Sequence, residues 1–189
     1  MRALRVKLAV AVAVVGAAGV ATVAIAGDRG GLRADLTSYE EVPALSTDGS
    51  GTFRARISRD SDEISYEMTY GSMSGRVLQS HIHFGQMSVS GGISVFLCTN
   101  LGNAPEGLTV QECPQEGTIT GTITPADVIG PVPQGIGPGE FAELVRAIRA
   151  GVAYVNVHTE PFPAGEIRGQ LGGRHGRGHG DEDDDGDGF

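Results

Sequence analysis

Short runs of alternating residues, each closed by a turn signal, recur along this chain and limit what it can fold into. From Thr52 to Ser58, Phe53, Ala55 and Ile57 alternate with Thr52, Arg54 and Arg56. Successive side chains of a strand point to opposite faces, so this run reads as a half-buried strand with a charged outer side. The turn RDSDE follows, and Ile64, Tyr66, Met68 and Tyr70 then share one face of the next strand. Such close spacing favours antiparallel hairpins. Further strand-like runs lie at residues 36–42 (stopped by Pro43), 77–84, 93–97, 117–124, 152–158 and 165–171, which makes about eight strands. PADV, from Pro125, starts a helical turn. Phe141, Leu144, Val145 and Ile148 fall at helical spacing within residues 140–150, and Gly151 stops that helix. The chain has no Trp and only 5% aromatic residues, so its core must be mainly aliphatic. The fold expected is all-β: an antiparallel β-sandwich or barrel of about eight strands with one inserted α-helix.

The two ends read differently from this central part. Arg2, Arg5 and Lys7 precede an uncharged, Ala/Val-rich stretch from Leu8 to Ala26 that ends in Ala24-Ile25-Ala26. A positive start, an apolar middle and small residues before a cleavage point are the layout of a secretory signal peptide, so residues 1–26 are expected to be removed. Residues 27–33 (GDRGGLR) read as a flexible lead and residues 34–172 as the β-domain. Residues 173–189 read as a disordered tail, because their one large apolar side chain, Phe189, cannot offset the entropy of ordering. Asp181, Asp183, Asp185 and Gly186 match only the first half of a calcium-binding EF-hand loop, without its closing Glu or flanking helices. Loss of the leader moves the formal charge from −9 to −12. A chain this acidic does not hold a nucleic-acid backbone or an anionic membrane by bulk electrostatics. The expected setting is secreted, with no nucleic-acid partner and no membrane attachment after cleavage.

Cys98 and Cys113 are the only cysteines. In an exported chain an even count implies a disulfide. Two cysteines this far apart, with no histidine near them, match no usual zinc spacing.

His81-Ile82-His83 is the feature with most chemistry in it. Residues i and i+2 of a strand face the same way, so both imidazoles can converge on one ion. His158 ends the run VAYVNVH; His175 and His179, the remaining two of the five histidines, lie in the tail. If the strand of His158 neighbours that of His81, the three rings could meet. Three histidines with an open position suit copper or zinc. The competing reading makes these histidines structural, hydrogen-bonded within a polar layer.

Three blocks carry a resemblance: EVPAL near the start, SHIHFG in the middle and AYVNVHTEPFPAGEIRGQL near the end. In order and approximate spacing they resemble the CHRD (chordin) domain, over roughly residues 34–171. That resemblance implies an extracellular domain and maps the family's recurrent histidines onto His81, His83 and His158. It also maps the G-E-I-R-G motif onto Gly165, Glu166, Ile167, Arg168 and Gly169. Glu166 and Arg168 alternate with Ile167, so they could pair with each other or orient a histidine from behind. Growth-factor antagonism, known for chordin, is not carried over, because this chain has neither its repeats nor its cysteine-rich modules. HIHFG is also similar to a stretch of copper/zinc superoxide dismutase, but three histidines outside the tail are too few for a two-metal site.

No G-x-S-x-G and no H-E-x-x-H occurs, which turns the reading away from hydrolases and from catalysis generally. Two functions remain: a secreted metal-binding domain using the three histidines, and a non-catalytic extracellular protein-interaction module.

Overall fold

The computed structural model describes residues 31–173. The leader, residues 27–30 of the lead, and residues 174–189 of the tail lie outside the described residues. The strands are β1 (Leu32–Thr37), β2 (Ser50–Ile57), β3 (Ile64–Gly71), β4 (Val77–Phe84), β5 (Gly92–Thr99), β6 (Gly117–Ile123), β7 (Ala153–Thr159), β8 (Ile167–Gln170) and the two-residue β9 (Gly172–Gly173). The helix α1 spans Phe141–Arg149. The strands form one antiparallel sheet in the order β5-β4-β7-β8-β1-β2-β3-β6, with β9 beside β1. This path curls into a nearly closed barrel or sandwich, as the alternation predicts. Across the remaining seam Tyr66 donates its hydroxyl proton to the Leu97 carbonyl at 3.3 Å.

The inner face is aliphatic. Leu36, Phe53, Ile64, Met68, Ile82, Leu97, Ile123 and Ile167 are fully buried in one cluster. Each such side chain contributes roughly 1.5–3 kcal/mol by leaving water. The helix adds Phe141, Leu144, Val145, Ala147 and Ile148 to the same cluster. It stops where expected: Gly151 takes a left-handed φ of 71°, its N–H donates to Ile148 O, and that of Val152 donates to Ala147 O. This double closure is favoured by glycine, which has no Cβ to clash. Cys98 and Cys113 are joined, with Cα atoms 5.0 Å apart.

Two expectations about strands need correcting. The first strand lies at Leu32–Thr37 rather than at residues 36–42, so Leu32 and Arg33 belong to the sheet and not to a flexible lead. Leu32, Ala34 and Leu36 are buried, while Arg33 and Asp35 face outwards. Residues 38–40 form a single 3-10 turn, in which Ser38 O accepts the Leu45 N–H. The second concerns the run 77–84, now β4, where strict period two back from His81 and His83 would put Val77 on the histidine side. Val77 pairs with Thr159 and Gln79 with His158, which leaves Leu78 as an extra residue. That bulge reverses the facing of Val77, so it joins the apolar core instead of sharing the side of His81 and His83.

Candidate metal centre

Neighbouring strands β4 and β7 build the site. Their register places Gln79 opposite His158, His81 opposite Asn156, and His83 opposite Tyr154. Ala153, Val155 and Val157 fill the apolar core from β7, while Tyr154, Asn156 and His158 point to the other side of the sheet. That other side is not solvent, because all seven residues of β7 are buried.

Two connections cover it. Residues 85–91 are tied down by four side chains: His83 Nδ1 bonds Gly91 O at 3.0 Å, and the Tyr154 hydroxyl accepts the Gly91 N–H at 3.1 Å. Arg168 Nη2 donates to Gln86 O and Val89 O, and Gln170 Nε2 to Gly85 O. The connection from β7 to β8 supplies Pro163 O, 3.0 Å from His158 Nδ1.

The three histidines meet. His81 Nδ1 is 3.1 Å from His158 Nε2, and one ring nitrogen from each of the three can be chosen so that all lie within 4.8 Å of one another. Two nitrogens bound to one tetrahedral ion at about 2.0–2.1 Å lie about 3.3 Å apart, so small side-chain shifts suffice. In His83 and His158, Nδ1 faces a backbone carbonyl, so it carries the proton and leaves the Nε2 lone pair directed inwards. This is the usual second contact of a metal-ligating imidazole. Burial, reinforced by the neighbouring imidazoles, pushes the pKa of His81 down to about 2. Burial likewise lowers that of His158 to about 4 and lowers that of His83. All three rings are therefore neutral at pH 7, the form that ligates.

Four buried polar atoms around this cluster have no hydrogen-bond partner: His81 Nε2, His83 Nε2, Asn156 Oδ1 and Glu41 Oε1. Each such atom costs roughly 1–3 kcal/mol if it stays unpaired. Two imidazole lone pairs beside two oxygen acceptors suit a cation, so the residues present fit a metal ion.

Glu166 and Arg168 do not pair with each other. Glu166 accepts from Ser74 N at 2.9 Å, Ser74 Oγ at 2.7 Å and Thr159 Oγ1 at 2.6 Å. Burial disfavours its charge, but these bonds outweigh burial and hold its pKa below the usual range. Gly165 has φ 136° and the regular strand begins only at Ile167, so simple alternation does not carry back to Glu166. Arg168 instead sits 3.4 Å above the centroid of the Tyr154 ring, whose other neighbour is the His83 imidazole, stacked at 4.7 Å and 5°.

Sequence reasoning missed Glu41, Tyr154 and Asn156. Glu41 is buried, and burial raises its pKa to about 7, against the pull of the Arg168 charge and hydrogen bonds that include Asn156. A Cβ on Gly165 would collide with Glu41 Oε1 and lie 2.9 Å from Asn156 Nδ2, so glycine is what lets these two groups approach. Asn156 and Tyr154 were visible at alternate positions before His158. Nothing near Glu41 in sequence marked it as buried.

The chain matches the family model of the CHRD domain over residues 32–171. It belongs to the CHRD domain family. The CHRD match runs from the first residue of β1 to Leu171 and contains every residue of the histidine centre. Membership suggests an extracellular module. No curated protein and no solved structure matches the chain. Among the described residues no helix is long and apolar enough to cross a membrane.

Proposed function

We propose that this CHRD domain is exported by its N-terminal leader and binds one copper or zinc ion through His81, His83 and His158. The observation that carries this reading is the meeting of three neutral, buried imidazoles, two of which keep an Nε2 lone pair with no partner. Copper(II) is the tighter of the two ions by the usual order for nitrogen sites. Glu166 and Arg168 would act at one remove, Glu166 by fixing Thr159 beside His158 and Arg168 through the Tyr154 ring. The test is a copper titration of the full chain bearing replacements at His175 and His179, with and without His83→Ala. One equivalent bound and then lost on His83→Ala supports the reading.

Equal uptake by both proteins would favour the second reading, an extracellular protein-interaction module with structural histidines. A specific feature supports it: Tyr39, Val42 and Met87 stay exposed around one cleft.

A further inference from the structure

The two oxygen acceptors at the centre say what else it holds. Asn156 lies between the other groups: it is opposite His81 on β4 and opposite Arg168 on β8. Its amide nitrogen and the Glu41 carboxyl group come together at Gly165, where a Cβ would lie 2.9 Å from Asn156 Nδ2 and would collide with Glu41 Oε1. Asn156 Oδ1 and Glu41 Oε1 are buried without a donor. Glu41 is also part of the wall of a cleft of about 410 Å³ shared with Pro43, Met87, Arg168 and Gln170. The carboxyl group therefore lies between that cleft and Asn156, which stands among the histidines on β7.

Three nitrogens leave a metal ion at least one open position. A ligand there beside two acceptors is favoured if it has protons to give and disfavoured if it only accepts. We infer that the centre is an open one whose remaining position takes a small protic oxygen ligand, water in the resting protein, held by hydrogen bonds to Asn156 Oδ1 and Glu41 Oε1. This rests on the metal-binding reading above. Glu41 and Asn156 are positioning residues in it: they select the exogenous ligand and do not hold the ion.

The probe is azide, a small anion that binds copper(II) but has no proton to donate. In the copper-loaded full chain at about pH 8.5, where the Glu41 carboxyl group is ionised, azide must displace the water and face both acceptors, so it binds weakly. Asn156→Leu and Glu41→Met keep side-chain volume and each remove one acceptor. Each is expected to raise azide affinity about tenfold, the scale of one hydrogen bond to a charged group, at unchanged copper stoichiometry. Asn156→Asp keeps an acceptor and is expected to bind azide no more tightly than wild type. A merely structural loss would not separate Asp from Leu. Equal azide affinity in wild type and both apolar variants, or a rise in Asn156→Asp matching that in Asn156→Leu, overturns the inference and leaves the metal site standing. Failure of the wild type to take up copper sinks both.

Discussion

The Tyr154 ring lies parallel to the His83 imidazole, with 4.7 Å between centroids and 5° between planes, and carries the Arg168 guanidinium on its opposite side. Three side chains from three strands thus form one stack, capped by the loop that Tyr154 and His83 both hold at Gly91. Tyr154→Phe keeps the stack and loses the hydroxyl acceptor, so a loss of about 1 kcal/mol is expected. Tyr154→Ala removes the ring, and about 3–5 kcal/mol is expected, as for other buried aromatics. Urea unfolding of the three proteins checks the order and the gap.

The disulfide closes a sequence separation of 15 residues. Replacing both Cys98 and Cys113 by Ser is expected to cost about 3 kcal/mol, the chain-entropy value for a loop of that length. The histidines are held by strand register and not by this link, so copper stoichiometry should be unchanged. Calorimetric unfolding paired with metal titration separates the two effects.

Acid should act on the metal-free fold through groups of opposite sign: the lowered pKa values of the three histidines and Glu166 on one side, the raised one of Glu41 on the other. The pKa of His158 falls from 6.5 unfolded to about 4 folded. Its contribution is present above pH 6.5 and is lost as pH drops towards 4. Glu41 runs the other way, from 4.5 unfolded to about 7 folded, so its contribution is present below pH 4.5 and is lost as pH rises towards 7. Glu41→Gln removes the second slope only. Its stability is expected to rise with pH between 4.5 and 7 more steeply than that of wild type, read from urea midpoints across that window. Parallel curves for the two proteins would contradict the assignment.

Gly165→Ala is expected to be among the most harmful small changes. Its φ of 136° is strained for any L side chain, and the new methyl would meet the Glu41 carboxylate. A loss of about 1–3 kcal/mol from backbone strain alone is expected, with more from the displaced acid. Comparison with Gly151→Ala separates the causes. Gly151 also has positive φ, but a Cβ there would meet nothing within 4 Å.

The fold class was legible because alternation survives wherever one strand face is apolar, as in Ile64, Tyr66, Met68 and Tyr70. The histidine pair was legible for the same reason, since period two puts His81 and His83 on one side. Alternation misleads at β1, where Leu32 and Arg33 read as lead and the strand as starting at Leu36, until Leu32, Ala34 and Leu36 pair with β2. It misleads again at Leu78, where one extra residue reverses the side of Val77. The setting of Glu41 was illegible for a deeper reason. Its burial depends on Gly165, and a contact between segments that distant leaves no local pattern.

Leu32, at the start of β1, pairs directly with Gly173 in β9. Antiparallel partners stand about 4.5–5.5 Å apart, so the chain enters and leaves the domain at a single point. A unit built this way hangs from its polypeptide as a pendant instead of lying in line with it. Whatever is joined before Leu32 and after Gly173 can be brought together without the domain between them, and several such units in series would each project sideways from a common thread. The same closure makes circular permutation undemanding: a short bridge from 173 to 32, with new ends opened in the turn at Ser61, leaves every described strand pair intact.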